Sequence, residues 1–72
     1  MKWVSDRSNT RVYYNDVDGI FFAAVLYKRK SMWRFSIRKL ENVGYQVIGS
    51  VPASLKWKTK ASVLVKKFMS GY

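Results

Sequence analysis

The sequence predicts an α+β domain in which an antiparallel meander of three or four strands carries one C-terminal helix on one face. Three observations predict this: apolar and polar residues alternate in mid-chain, turn residues separate β-prone segments, and a helical apolar stripe lies near the end. A small SH3-like barrel with a terminal helix is the alternative if residues 11–14 pair as a strand. Residues 1–72 are expected to form a single domain, with 1–10 flexible.

β-Prone segments separated by turn residues predict the strands. The β-prone segments are residues 11–14, 19–28, 32–40 and 45–51. The turns between them are Asn15 to Gly19, the cationic loop Lys28 to Ser31, and Glu41 to Gly44. Gly49 within the last segment indicates a β-bulge or a close packing contact.

The string MWRFSIRK determines which side of its strand faces the core, because successive side chains of a strand point to opposite faces. One face carries large apolar side chains: Trp33, Phe35 and Ile37. The other face carries polar and cationic side chains: Arg34, Ser36 and Arg38. A shift of one residue would bury both arginines under the helix, so the apolar set is expected to face it.

An apolar stripe predicts a helix from Lys60 to Met69, with Thr59 as its N-terminal cap and Ser70 and Gly71 at its end. The stripe recurs at helical spacing: Ala61, Leu64, Val65 and Phe68. We expect the last three of these to pack against Trp33, Phe35 and Ile37.

The positive charge is unevenly distributed. Residues 1–18 contain three basic and three acidic groups, so the net charge of +10 lies in residues 19–72, where eleven basic groups accompany a single acid, Glu41. Such an imbalance repels itself in the compact state unless an anionic partner binds. The candidates are nucleic acid, an acidic protein and an anionic membrane. No apolar run approaches the roughly 20 residues of a spanning helix, and no signal peptide is seen, so a cytoplasmic protein is expected.

Enzymatic chemistry finds little support. The chain has no Cys and no His, which removes the commonest metal ligands and proton shuttles, and no Gly-rich phosphate loop. Asp16 and Asp18 could share a cation, but their sequence context is typical of a turn. Ser62 and Lys66 have the spacing of a Ser–Lys catalytic pair, but that spacing is common on basic helices. We therefore expect no enzymatic activity, no cofactor and no metal.

Basic residues instead indicate nucleic-acid binding, with DNA favoured over RNA. Each cation placed on a phosphate releases counterions, and arginine can also grip a phosphate or read guanine with two bonds. The candidate residues lie on the polar side of the middle strand, in the cationic loop and before the helix: Arg34, Ser36, Arg38, Lys28, Arg29, Lys30, Lys56, Lys58 and Lys60.

A family resemblance also indicates DNA binding. The order of three strands and a helix, with WRFSIR in the middle strand and GSV closing the third, resembles the DNA-binding domains of plant ethylene-response factors and tyrosine integrase arm-binding domains. The resemblance covers roughly residues 20–69. It implies that the open side of the sheet lies in the major groove, with Arg34, Ser36 and Arg38 as contacts.

The alternative to nucleic-acid binding is protein binding: the chain would be a small viral or mobile-element-type protein that binds and modulates an acidic host protein. Aromatic side chains often dominate such interfaces, and the candidate anchors are Tyr13, Tyr14, Phe21 and Tyr27. The apolar strand 19–28 also allows a homodimer, so both monomer and homodimer are expected states. A membrane-surface role for the helix ranks below these readings, because its apolar stripe is needed for the core.

Overall fold

The computed structural model describes residues 2–41 and 44–71, without the side chains of Asn9 and Thr10. These residues form β1 (Val4–Asp6), β2 (Asn9–Val17), β3 (Ile20–Arg29), β4 (Met32–Glu41), β5 (Gly44–Pro52) and α1 (Trp57–Met69). The strands lie in sequence order as one antiparallel five-stranded sheet, which is not closed into a barrel. The predicted α+β meander with one helix is confirmed, with more strands than expected, and the barrel alternative is wrong.

The additional strand, β1, lies in the N-terminal segment that was expected to be flexible. Ser5 of β1 pairs with Tyr13 of β2. Trp3, just before β1, is buried in the core, and its indole Nε1 donates a hydrogen bond to the Ser62 Oγ of α1 at 3.1 Å. One aromatic anchor therefore fixes a segment whose composition is otherwise polar.

The turns are tighter than the sequence predicted. Asp18 and Gly19 connect β2 to β3 with φ values of 53° and 80°, the left-handed region that two-residue hairpin turns require. Lys30, at φ 57°, turns the chain between β3 and β4, so Lys28 and Arg29 belong to β3. Of the third predicted turn, Asn42 and Val43 lie outside the described residues.

The helix begins earlier than predicted, at Trp57, and its N-cap residue Lys56 makes no side-chain capping bond. Thr59 lies inside the helix, so its predicted role as the cap is wrong. The helix starts early because Trp57 packs into the core, with its ring centroid 4.9 Å from that of Tyr13 and 5.6 Å from that of Phe35. Tertiary packing here outweighs the local capping signal.

The core lies between α1 and one face of the sheet. Its fully buried large side chains come from three elements: Phe22, Phe35, Ile37 and Val65. The predicted inward orientation of Phe35 and Ile37 is confirmed. Trp33 lies on the same face, but it remains 40% exposed and stacks with the Arg11 guanidinium, 5.2 Å from its ring centroid. The expectation that Trp33 packs in the core against the helix stripe is wrong, because it lies near the sheet end.

Gly49 shows both features that its position indicated. The pairing between β4 and β5 shifts register after Ile37, which leaves an extra residue in β5 beside this glycine. A Cβ atom at Gly49 would lie 3.3 Å from Leu64 Cδ1, so the missing side chain allows α1 to approach the sheet closely.

Candidate nucleic-acid interface

The face of the sheet opposite α1, which we call the open face, carries the three residues predicted from the middle strand. Phe35 and Ile37 of β4 point into the core, so Arg34, Ser36 and Arg38 point away from it. The register extends this face across the neighbouring strands. Ser36 is paired with Val25 and Ser50, and Arg38 with Ala23 and Val47.

Three cations converge at one end of the open face. They line a groove of about 650 Å³, which we call the cationic groove, formed by Tyr27, Arg29, Lys30, Ser31, Met32, Arg34 and Ser50. Within it, the Tyr27 hydroxyl and the Ser50 Oγ lie 3.0 Å apart in a hydrogen bond. The groove thus combines positive charge with hydroxyl groups, the donor types that bind phosphate oxygens.

The arginines of the open face have no carboxylate partner among the residues that the structure describes. Arg29, Arg34 and Arg38 make no salt bridge with any side chain in residues 2–41 and 44–71. Glu41 instead pairs with Lys39, at 3.3 Å, on the face that carries α1. Arg38 Nε and Ser36 Oγ are buried and have no hydrogen-bond partner among the described residues. The open face therefore retains both uncompensated charge and unused hydrogen-bonding capacity.

Two tyrosines at opposite ends of the open face have pKa values shifted in opposite directions. The pKa of Tyr27 is lowered, mainly by its hydrogen bond with Ser50 and further by the nearby Arg34 and Arg29. The pKa of Tyr14 is raised, mainly by burial and further by the neighbouring Tyr45 and Asp6. We therefore expect Tyr27 to ionise at lower pH than Tyr14 when the ring carbon shifts of both tyrosines are followed by NMR across alkaline pH.

Two variants separate the causes of the Tyr27 shift. Ser50→Ala and Arg34→Ala should each raise the pKa of Tyr27, because the Ser50 hydrogen bond and the Arg34 guanidinium both lower it. Neither change touches Tyr14, which serves as the internal control. The described arrangement of the groove would be contradicted if Tyr14 ionised first.

The remaining predicted cations do not lie on the open face. Lys28 is paired with Trp33 on the side of the sheet that carries α1. The pre-helix lysines lie at the start of α1, where Lys58 Nζ is 5.2 Å from the Tyr13 ring centroid. The structure therefore brings Arg29, Lys30 and Arg34 together, and it leaves Lys56, Lys58 and Lys60 away from the open face.

The aromatic residues considered as protein-interface anchors also do not share one face. Tyr13 packs against Trp57 under the helix. Tyr14, Phe21 and Tyr27 lie on the open face. Away from the cationic groove, a pocket of about 220 Å³, which we call the apolar pocket, is lined by Tyr14, Phe21, Phe22, Ala23, Leu40 and Tyr45. Leu40 and Tyr45 were not predicted, although Leu40 shares the parity of Arg38.

The end of the β3–β4 hairpin extends beyond its neighbours. Pairing between β3 and β4 continues to Arg29 with Met32, whereas the pairing of β2 with β3 ends at Val12 with Val25. On the other side, pairing of β4 with β5 ends at Arg34. Residues 28–32, which we call the hairpin tip, therefore form a two-stranded ribbon bearing three consecutive cations.

Other site types are not seen in the part of the chain that the structure describes. It contains no helix long and apolar enough to cross a bilayer, and no group of three or more His, Cys, Asp or Glu side chains placed to hold a metal ion. Comparison of the chain with family models, with curated proteins and with solved structures finds no match.

Proposed function

We propose that this chain is a small non-enzymatic nucleic-acid-binding protein that contacts duplex DNA through its hairpin tip and open face. The cationic groove is the main support for the proposal. Arg29, Lys30 and Arg34 meet there beside two hydroxyl groups, and neither arginine is neutralised by a described carboxylate.

The dimensions of the sheet favour the hairpin tip as the element that enters a groove. Five strands spaced by about 4.8 Å make the sheet roughly 19 Å wide. The major groove of B-DNA is only about 12 Å wide, which admits a two-stranded ribbon but not the whole sheet. The deep, narrow major groove of A-form RNA excludes such a ribbon, so DNA is favoured over double-stranded RNA.

The hairpin tip would contact bases, and the residues behind it on the open face would contact phosphates. Arg29 and Lys30 at the tip would enter the groove, where an arginine fork can bond guanine O6 and N7. Arg34, Tyr27 and Ser50 at its base would hold phosphate oxygens. Arg38, farther along β4, would contact a neighbouring phosphate. The resemblance of WRFSIR implies that the open face itself lies in the groove, whereas this proposal assigns entry into the groove to the hairpin tip.

Binding to duplex DNA is expected to weaken steeply with salt. Three to five phosphate contacts should give a slope of about −3 to −4.5 in a plot of log affinity against log salt concentration, at roughly −0.9 per contact. Fluorescence anisotropy of a labelled duplex at increasing salt measures this slope. A single-stranded DNA and an RNA duplex of the same length are the comparison ligands.

Two results would reject the proposal. One is the absence of binding to any of the three nucleic acids at tens of micromolar protein and low salt. The other is a slope near zero, which would mean that binding, if seen, does not involve phosphates.

A second candidate function, binding to an acidic protein, is favoured by the apolar pocket. Phe21, Leu40 and Tyr45 are all exposed there on the open face. Arg38 is paired with Ala23 of this pocket, so it places a cation beside these apolar side chains. Such a surface matches a partner that is apolar at its centre and acidic at its rim. Phe21→Ala should then abolish capture of the partner and leave DNA affinity unchanged.

A further inference from the structure

We infer that β5 is a self-association edge, through which two copies of this chain pair antiparallel to form one continuous ten-stranded sheet. The inference does not depend on the proposed function. It rests on the position of β5 in the sheet, its lack of charge and its exposed apolar neighbours.

The position of β5 leaves one side of its backbone unpaired by the sheet. The strand order runs from β1 to β5, so these two strands form the edges. β1 has only three residues, whereas β5 has nine. A long edge strand exposes a row of amide and carbonyl groups that another strand can pair with.

The charge pattern singles out the same strand. Each of β1 to β4 contains at least one charged side chain, but the sequence of β5, GYQVIGSVP, contains none. Natural edges are commonly guarded by charged residues, lysine above all, and this chain has many to offer. In a two-fold interface the same surface patch of both copies meets, so charges of one sign on that patch face charges of the same sign. For a protein of net charge +10, an uncharged strand therefore fits a second copy, whereas an acidic partner would gain more elsewhere.

Apolar surface flanks β5 on both sides of the sheet. On the open face, Tyr45 and Val47 are 53% and 59% exposed. On the other face, a groove of about 440 Å³ runs between β5 and α1, and its apolar lining includes Val51, Val63 and Leu64. Strand pairing would cover part of both surfaces, which adds apolar burial to the backbone hydrogen bonds.

The backbone alternation identifies the groups that a second copy would meet. The Ala53 N–H donates to the Trp33 carbonyl of β4 at 2.9 Å. Backbone N–H and C=O groups alternate in direction along a strand, so those of Val51 also face β4, whereas those of Pro52 and Ser50 face away from it. The Ser50 amide is therefore directed to the free edge. Proline has no N–H to offer there, so the pairing segment ends before Pro52.

Antiparallel pairing also fixes how the two copies are oriented. The two-fold axis runs perpendicular to the sheet, so both helices lie on one side and both open faces on the other. The cationic grooves of the two copies would then lie on one continuous surface. If the proposed function holds, a dimer would offer DNA twice the number of phosphate contacts.

Salt provides a sharp test, measured without nucleic acid. Two chains of like charge repel each other at low ionic strength, and the repulsion is screened when the Debye length falls from about 14 Å at 50 mM to about 4 Å at 500 mM salt. We expect sedimentation equilibrium to give twice the chain mass at high concentration. We also expect the dimer to become stronger with salt, opposite to the salt effect on DNA binding.

Two matched variants locate the interface. Val47→Lys places a like charge on the exposed part of β5 in both copies and should weaken dimerisation at least about tenfold, since like charges brought together across a strand pair destabilise it. Val4→Lys adds the same charge at a valine of similar exposure, 56%, on the other edge, and should leave the dimer unchanged. Hydrogen exchange should show the Ser50 amide protected in the dimer of the parent protein and unprotected in Val47→Lys.

The inference is overturned by a monomer at every salt concentration up to about 1 mM protein. It is equally overturned by a dimer that Val4→Lys weakens and Val47→Lys does not. Because no nucleic acid is present, these results leave the proposed function untouched, and a failure to bind DNA would leave the dimer untouched.

Discussion

Replacing Phe35 by alanine is expected to remove a large part of the free energy of unfolding of this protein. Phe35 is fully buried, and its ring packs against Trp57 of the helix at 5.6 Å between centroids. Truncating such a side chain costs about 3–5 kcal/mol, because the cavity closes only in part. A chain of 72 residues has only about 4–10 kcal/mol of stability in total, at roughly 0.05–0.15 kcal/mol per residue. Urea unfolding followed by far-ultraviolet circular dichroism measures the loss.

Trp33→Ala is the matched control, since Trp33 lies on the same face of the same strand and has a larger ring. It is 40% exposed and contacts the Arg11 guanidinium. Losing this exposed cation–π contact and some packing should cost only about 1 kcal/mol. Equal losses in the two variants would contradict the arrangement in which Phe35 lies under α1 and Trp33 lies near the sheet end.

The sequence was sufficient for the orientation of β4, because alternation in a strand is a local property. Phe35 and Ile37 face α1 and the two arginines of β4 face away, as the period-two pattern predicts. The β-bulge and the close approach of α1 at Gly49 were also predictable, since a glycine inside a strand commonly marks one or the other. These features need no knowledge of how distant segments meet.

Features that depend on distant contacts could not be read from the sequence. Trp3 lies far along the chain from Ser62 and Trp57, yet its contacts with them anchor the N-terminal segment. The apolar pocket joins Tyr14 of β2 to Tyr45 of β5 across two intervening strands. Local patterns predict the face on which a side chain lies, but the register between strands determines which side chains become neighbours.

The hairpin tip shows that strand register also determines which cations are neighbours in the candidate site. The sequence placed Lys28, Arg29 and Lys30 together in a loop. In the structure Lys28 and Arg29 belong to β3, and Arg29 shares the cationic groove with Arg34. The pre-helix lysines, which carry the same charge, lie instead at the start of α1 because Trp57 packs into the core there. Charge alone therefore does not determine which of these cations share a face of the sheet.

Replacing Arg34 and Arg38 together by alanine is expected to weaken duplex DNA binding about 10- to 100-fold at moderate salt. If each arginine holds one phosphate, the double variant should flatten the salt slope by roughly 1.8, at about 0.9 per contact. The fold should survive, because neither arginine makes a salt bridge with a described residue and Arg38 Nε is already without a partner among them. Anisotropy titrations at several salt concentrations measure both quantities, and circular dichroism checks the fold.

The control removes the same charge from another surface. Lys66 and Lys67 are exposed in the last turn of α1, and Lys66→Ala with Lys67→Ala lowers the net charge by the same amount as the arginine pair. If binding depends only on total charge, the two double variants will lose affinity equally. If DNA lies on the open face, as proposed, the arginine pair will lose much more. An arginine variant that binds as tightly as the parent would exclude Arg34 and Arg38 as contacts, and DNA contacts would then have to be sought at the hairpin tip alone or near Lys56, Lys58 and Lys60 at the start of α1.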